Sequence, residues 1–239
     1  MIFLRSALYQ LLFLPWTLFI GIVSFPLLLT APRRFLQYIA AFWLEGALLL
    51  QKLVLGLSFE IRGLENLPKG VIVAAKHQSA WETMIFHRLV GDPAFVLKKE
   101  LLSLPLIGWY MRRTDQIAID RSAGGSALKQ MLDGGRHALE QGRALIIFPE
   151  GHRQPSGKGG RYHPGIFKLY EALNVPVVPI ALNSGLFWGR NSFLRHKGRI
   201  TLQALPPIAP GLPREDFMHR LQEAIETHTR ALEAEASGG

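Results

Sequence analysis

From residue 57 onward, short apolar runs rich in Val, Ile and Phe alternate with longer runs at helical spacing. The strand-like runs span 57–61, 71–75, 94–97, 116–119, 144–148, 175–182 and 200–205. Helical patterns fall at Ala80–Val90, Gly108–Arg112, Ser126–Gln141, Gly165–Leu173 and Arg214–Ala236. A strand and a helix each have an apolar face to bury. An alternating series of them does so most simply as a sheet with helices on both faces. The expected fold is therefore α/β, a central mixed sheet covered by helices. Gly134-Gly135 predicts a bend in the helix that contains it. Phe217, Leu221, Ile225 and Leu232 repeat at helical spacing and predict an amphipathic packing helix at the end of the chain.

The first 57 residues differ. Residues 6–31 carry no charge, and the whole stretch holds only Arg5, Arg33, Arg34, Lys52 and Glu45. A helix over 6–31 would cover roughly 39 Å at about 1.5 Å per residue, more than the ~30 Å hydrocarbon core of a bilayer. Pro15 and Pro26 interrupt it, and each is expected to kink or end a helix. A cleaved signal peptide fits poorly, because the apolar run is too long and no small-residue cleavage site follows. A two-pass hairpin, or two helices packed on the rest of the protein, are alternatives. The preferred reading is a two-helix unit, residues 1–57, that dips into one leaflet ahead of a domain at 58–239. Arg33 and Arg34 would then lie at the headgroups, with Trp16 and Trp43 at the interface.

The chain has 27 Lys and Arg against 18 Asp and Glu, a net charge of +9. That balance suits an anionic partner: a nucleic acid, an anionic membrane surface or a phosphorylated substrate. Nucleic acid explains it least well, since the aromatics lie in apolar runs rather than among the basic residues. With no cysteine, disulfides, thiolate catalysis and thiolate metal sites are excluded.

Two polar runs follow strand-like runs, which is how an active site at one edge of an α/β sheet reads in sequence. The first is KHQSAWE, with His77 and Glu82. Ser79 and Glu82 fit a capping box, a sufficient reason for a carboxylate at 82. The same turn places His77 just before the helix, where Glu82 could fix the tautomer of a general base and balance its charge. His77, Glu82 and His87 are five residues apart, so one helix cannot converge them on a metal. No metal is expected.

The second run is FPEGHR, from Phe148 to Arg153. Turn chemistry accounts for Pro149 and Gly151 but does not select Glu150. The glycine-rich loop that follows, with Arg153, Lys158 and Arg161, reads either as a solvated loop or as a mobile anion-binding lid. Lys98 and Arg121 each follow an apolar run, and a guanidinium at 121 is suited to clamping a phosphate.

Together these runs resemble the glycerolipid acyltransferase family that includes the 1-acylglycerol-3-phosphate (lysophosphatidate) acyltransferases. That family's His-x4-Asp motif is matched by His77 and Glu82, with Glu in place of Asp. Its Arg after a strand, often preceded by KKEL…P…GW, is matched by KKELLSLPLIGWYMRR and then Arg121. Its F-P-E-G-x-R is matched by 148–153, with His152 where Thr or Ser is common. Its V-P-x-x-P is matched by 175–179. The resemblance implies that His77 is the base and Glu82 its partner. It implies that Lys98, Arg121, Glu150, Gly151 and Arg153 bind the acceptor. No cofactor is implied. Acyl-CoA or acyl-carrier protein would donate the acyl chain and a lysophospholipid would accept it. The site would lie at the cytoplasmic face of a bacterial inner membrane. Another acceptor, such as glycerol 3-phosphate or a lyso-aminolipid, and a non-catalytic lipid-binding protein are the competing readings.

Overall fold

A computed structural model describes residues 1–120 and 123–238. Among these residues seven strands form one sheet. They are β1 (Leu57–Arg62), β2 (Ile72–Ala75), β3 (Pro93–Lys98), β4 (Ile117–Ile119), β5 (Ala144–Ile147), β6 (Val177–Leu182) and β7 (Gly198–Ala204). Their order is β1-β7-β6-β2-β5-β3-β4. Neighbours from β6 to β4 are parallel, β7 is antiparallel to β6, and β1 is parallel to β7. The sheet is mixed, as expected.

The central strands β2, β5 and β6 are buried throughout because both sheet faces are covered, whereas β1 at the edge is buried only at Leu57. Val73 and Ala75 of β2 face a core that contains Tyr9, Leu44, Trp81 and Ile85. Ile72 and Ala74 face the opposite core, with Met131, Ile166, Phe167, Phe217 and Leu221. A strand buried on both sides reads as an unbroken apolar run rather than an alternating one. The first core comes from helices α1 (Ile2–Thr30), α2 (Arg33–Leu50) and α3 (Trp81–Val90). The second comes from α5 (Gly125–Glu140), α6 (Gly165–Leu173) and α8 (Arg214–Ser237). Two shorter helices, α4 (Ile107–Arg113) and α7 (Ser184–Phe187), follow β3 and β6. The face predicted for the last helix is the one buried.

Three local features are set by packing. Helix α5 is one element through Gly134-Gly135. A Cβ at Gly134 would lie 3.0 Å from Ile117, and one at Gly135 3.0 Å from Leu145, so the glycines let α5 lie close on the sheet. Helix α1 likewise continues through Pro15 and Pro26. Each proline removes one N–H, whereas ending a helix in an apolar setting would leave up to about four groups unpaired at each new end. Third, Trp16 and Trp43 are turned toward the helix pair itself. Trp16 Nε1 donates to the Trp43 carbonyl at 3.0 Å, and Trp43 Nε1 to Thr17 Oγ1 at 3.0 Å. Gly46 makes room for this, since a Cβ there would lie 2.3 Å from the Trp16 ring.

The helix pair combines two of the alternatives read from sequence. Helix α2 packs on the domain through Leu36, Ala40, Leu44, Ala47 and Leu48. Its Glu45 pairs with Arg88 of α3. Helix α1 is mostly unpartnered: only 6% of its most apolar stretch is buried. Leu4, Leu11, Leu18, Ile22 and Leu29 are all more than half exposed. Both helices are long and apolar enough to cross a membrane. This uncovered apolar surface is what a membrane-associated unit presents. Arg33 forms ion pairs with Asp92 at 3.3 Å and Asp115 at 3.2 Å. Arg34 is exposed.

Candidate active site

Because β2, β3, β5 and β6 run parallel, their C-terminal ends lie along one edge of the sheet. Beyond β2 the chain reaches His77 and enters α3. Beyond β5 it makes the 148–154 turn, and beyond β6 it reaches Asn183 and Ser184. These three segments build one polar cluster.

His77 Nδ1 lies 2.9 Å from Glu82 Oε1. The same Oε1 accepts the backbone N–H groups of Gln78 and Ser79, each at 2.6 Å. Glu82 Oε2 accepts from Ser79 Oγ at 2.6 Å and Ser184 Oγ at 2.9 Å. So Glu82 is at once the capping carboxylate and the partner of the imidazole. Burial alone would lift its pKa. The hydrogen bond and charge of His77, with the Ser79 donors, outweigh burial and hold the carboxyl below its ordinary value. An ionised Glu82 accepts only, so Nδ1 carries the proton and Nε2 has the free lone pair. The imidazole stacks on Phe148, centroids 4.0 Å apart, and its side chain is 13% exposed. It is held yet reachable.

The 148–154 turn grips the backbone of the same residue. Glu150 Oε2 accepts the His77 N–H at 3.0 Å, and Gln154 N–H donates to the His77 carbonyl at 2.7 Å. Gly151 sits at φ +69°, a conformation that favours glycine, which explains its place in the run. Glu150 Oε1 accepts from Lys76 Nζ at 2.7 Å and from the Gly160 N–H at 3.2 Å. Lys76 Nζ also donates to Glu226 Oε1 at 2.8 Å and to the Lys158 carbonyl at 3.1 Å. The Lys76 and Glu150 side chains are both 0% exposed. Burial lifts the Glu150 carboxyl, and Lys76 opposes this without cancelling it, so its pKa stays above the ordinary value.

Glu150 therefore faces into the protein, where it orders the His77 backbone and the following loop. The glycine-rich loop, read as solvated or as a mobile lid, is held at several points. Gly160 and Lys158 bind as above, and Glu233 of α8 accepts from Ser156 Oγ at 2.6 Å and from the Gly157 N–H.

Lys98 is exposed at the end of β3, on the same sheet edge as His77. Arg153 is half-buried in the turn, and its carbonyl accepts from Arg190 at 3.0 Å. Arg121 lies outside the described residues.

Sequence reasoning missed Lys76, Gln78, Ser184, Glu226 and Glu233. Gln78 is buried and bridges Glu233 at 2.8 Å to the Gly185 N–H at 2.9 Å. A signal for part of this exists. Glu226 and Glu233 are seven residues apart beside the apolar stripe of α8, so two carboxylates share one face near the core.

The arrangement is a histidine with one nitrogen fixed by a buried carboxylate and the other available, on a hydrogen-bonded turn. It can remove a proton from a hydroxyl and return it to a leaving group. Residues 58–183 match the family Acyltransferase. A 1-acyl-sn-glycerol-3-phosphate acyltransferase of Pseudomonas aeruginosa is 36% identical over 207 residues, 86% of this chain and 80% of the relative. The human 1-acyl-sn-glycerol-3-phosphate acyltransferase alpha is 26% identical over 245 aligned positions, 99% of this chain and 84% of the relative. The crystal structure of the 1-acyl-sn-glycerophosphate (LPA) acyltransferase from Thermotoga maritima superposes with a TM-score of 0.78. It covers 98% of this chain and 100% of that one at 23% identity, a likeness of fold.

Proposed function

This chain belongs to the acyltransferase family, and we propose that it is a 1-acyl-sn-glycerol-3-phosphate acyltransferase, moving an acyl chain from a thioester to lysophosphatidate to give phosphatidate. The observation that carries the reading is the His77–Glu82 contact at 2.9 Å, with Nε2 left for a substrate.

His77 Nε2 accepts the proton of the free glycerol hydroxyl as its oxygen attacks the thioester carbonyl. Glu82, an acceptor at Nδ1–H, favours the imidazolium that forms. The tetrahedral intermediate then expels the thiolate, which takes the proton back from Nε2. The oxygen–carbon bond forms, the carbon–sulfur bond breaks, and His77 ends neutral. Base catalysis of this kind contributes typically about 10²–10⁴-fold. The remainder is assigned to holding both substrates in place at the membrane surface. The chain has no cysteine to form a thioester intermediate, and direct transfer needs none.

Arg121 and Lys98 are the proposed contacts of the acceptor phosphate, with Arg153 a further one. Glu150 and Gly151 act through the backbone they position. The donor is acyl-CoA or acyl-carrier protein, both water-soluble, while the acceptor lies in a leaflet. The proposed location is accordingly the cytoplasmic face of a bacterial inner membrane, reached by residues 1–57.

The test is a panel of acceptors and both donors, presented to the purified protein in vesicles. The reading expects phosphatidate from lysophosphatidate. Product from glycerol 3-phosphate or a lyso-aminolipid alone would reassign the acceptor. Lipid binding with no product from any pair would favour a non-catalytic role.

A further inference from the structure

We propose that residues 98–113 form a third membrane-contacting element, which seats the protein on an anionic leaflet beside the candidate active site. It rests on the membrane association proposed above but not on the reaction.

On leaving β3 the chain makes a 3₁₀ turn, Lys99–Ser103, and then α4. Leu101, Leu104, Ile107 and Trp109 are 37%, 42%, 48% and 45% exposed, a cluster of large apolar side chains left partly open to the surroundings. The segment is built rather than loose. Gly108 lies so close under Leu102 that a Cβ would be 2.1 Å from its carbonyl oxygen. Leu106 is held at φ +59°, a costly conformation for Leu.

The surface continues from the unpartnered helix. Trp109 stacks on Phe25 of α1 with centroids 4.9 Å apart, and Leu106 meets Gly21. Arg113 donates to the Ala31 carbonyl at 2.9 Å. Its charge points to the occupant. Lys98, Lys99, Arg112 and Arg113 are all exposed and flank the apolar cluster at both ends, with Glu100 the one acidic residue of 98–113. Cations around an apolar patch with a tryptophan at its edge fit an interface rich in anionic headgroups. Since Lys98 ends a strand at the His77 edge, the element would set how that edge meets the leaflet.

The chain has no cysteine, so single nitroxide labels report cleanly. Leu104→Cys and Ile107→Cys are labelled and studied in vesicles of phosphatidylcholine with phosphatidylglycerol. Leu18→Cys marks α1, and Lys168→Cys, half-exposed on α6, marks water. The labels at 104 and 107 should favour collisions with oxygen over a polar nickel chelate, as at 18 and opposite to 168. They should sit less deep in phosphatidylcholine alone. Labels at 104 and 107 that match 168 while 18 is in lipid would overturn the proposal and leave the helix pair intact. A label at 18 that is itself aqueous would overturn both. Equal depth in the two vesicle types would remove the anionic part.

Discussion

Glu150 Oε2 accepts the backbone N–H of His77 at 3.0 Å, so the carboxylate of the second polar run supports the first. Glu150→Gln keeps an acceptor near His77 but removes the negative charge beside Lys76. A fall in kcat of between about ten- and a hundredfold is expected, because small displacements of a catalytic group carry that cost. KM for lysophosphatidate should barely move. Steady-state kinetics on the folded variant decides. A rise in KM with kcat unchanged would restore a direct contact with the acceptor.

Lys76 is the cation between two buried carboxylates, Glu150 and Glu226. Removing one member of a buried ion pair typically costs about 3–5 kcal/mol, because its partners stay buried without compensation. Lys76→Met should lose stability on that scale in urea unfolding. Adding Glu226→Gln, which removes one of the stranded charges, should recover part of it. A loss under about 1 kcal/mol for the single variant would contradict the hub, since exposed pairs contribute no more than that.

Glu82 accepts from His77, Gln78, Ser79 and Ser184. Glu82→Gln presents an amide where donors already point, and it disfavours the imidazolium. Loss of about 10²–10⁴-fold in kcat is expected, the range of base catalysis itself. Glu82→Asp keeps the charge with one methylene less and should retain clearly more activity than Glu82→Gln. Equal activities would reduce Glu82 to a helix cap.

His87, behind the site on α3, sits beside Gln37 Oε1 at 3.1 Å. Burial, and next the nearby charge of Arg143, lower its pKa from 6.5 to about 4. Between those values the unfolded chain binds a proton that the native state does not. Stability is therefore present above pH 6.5 and lost as pH falls toward 4, by at most about 3 kcal/mol. Unfolding free energy measured against pH should fall less steeply in His87→Gln. Parallel curves for the two proteins would show that His87 is not the source.

The centre of the sheet was legible because β2, β5 and β6 are buried on both faces, and a doubly buried strand shows as an apolar run whatever its partners. His77 and Glu82 were legible because they are local, one turn apart. What decides the role of Glu150 is not local. Lys76 and Glu226 are 150 residues apart in sequence and meet only when α8 folds across the sheet. The same limit applied to Arg33, whose partners Asp92 and Asp115 lie far along the chain. It applied equally to the two tryptophans that bond across the helix pair. Neither Pro15 nor Pro26 ends α1: the cost of a proline inside a helix is set against the cost of ending it, and that balance depends on surroundings.

The base assignment is decided by the conversion of lysophosphatidate to phosphatidate by His77→Ala in vesicles, with the donor that the wild-type protein uses. A kcat lower by at least about 10²-fold is expected, with lipid binding and the unfolding midpoint kept. Near-wild-type turnover in the folded variant would show that His77 is not the base.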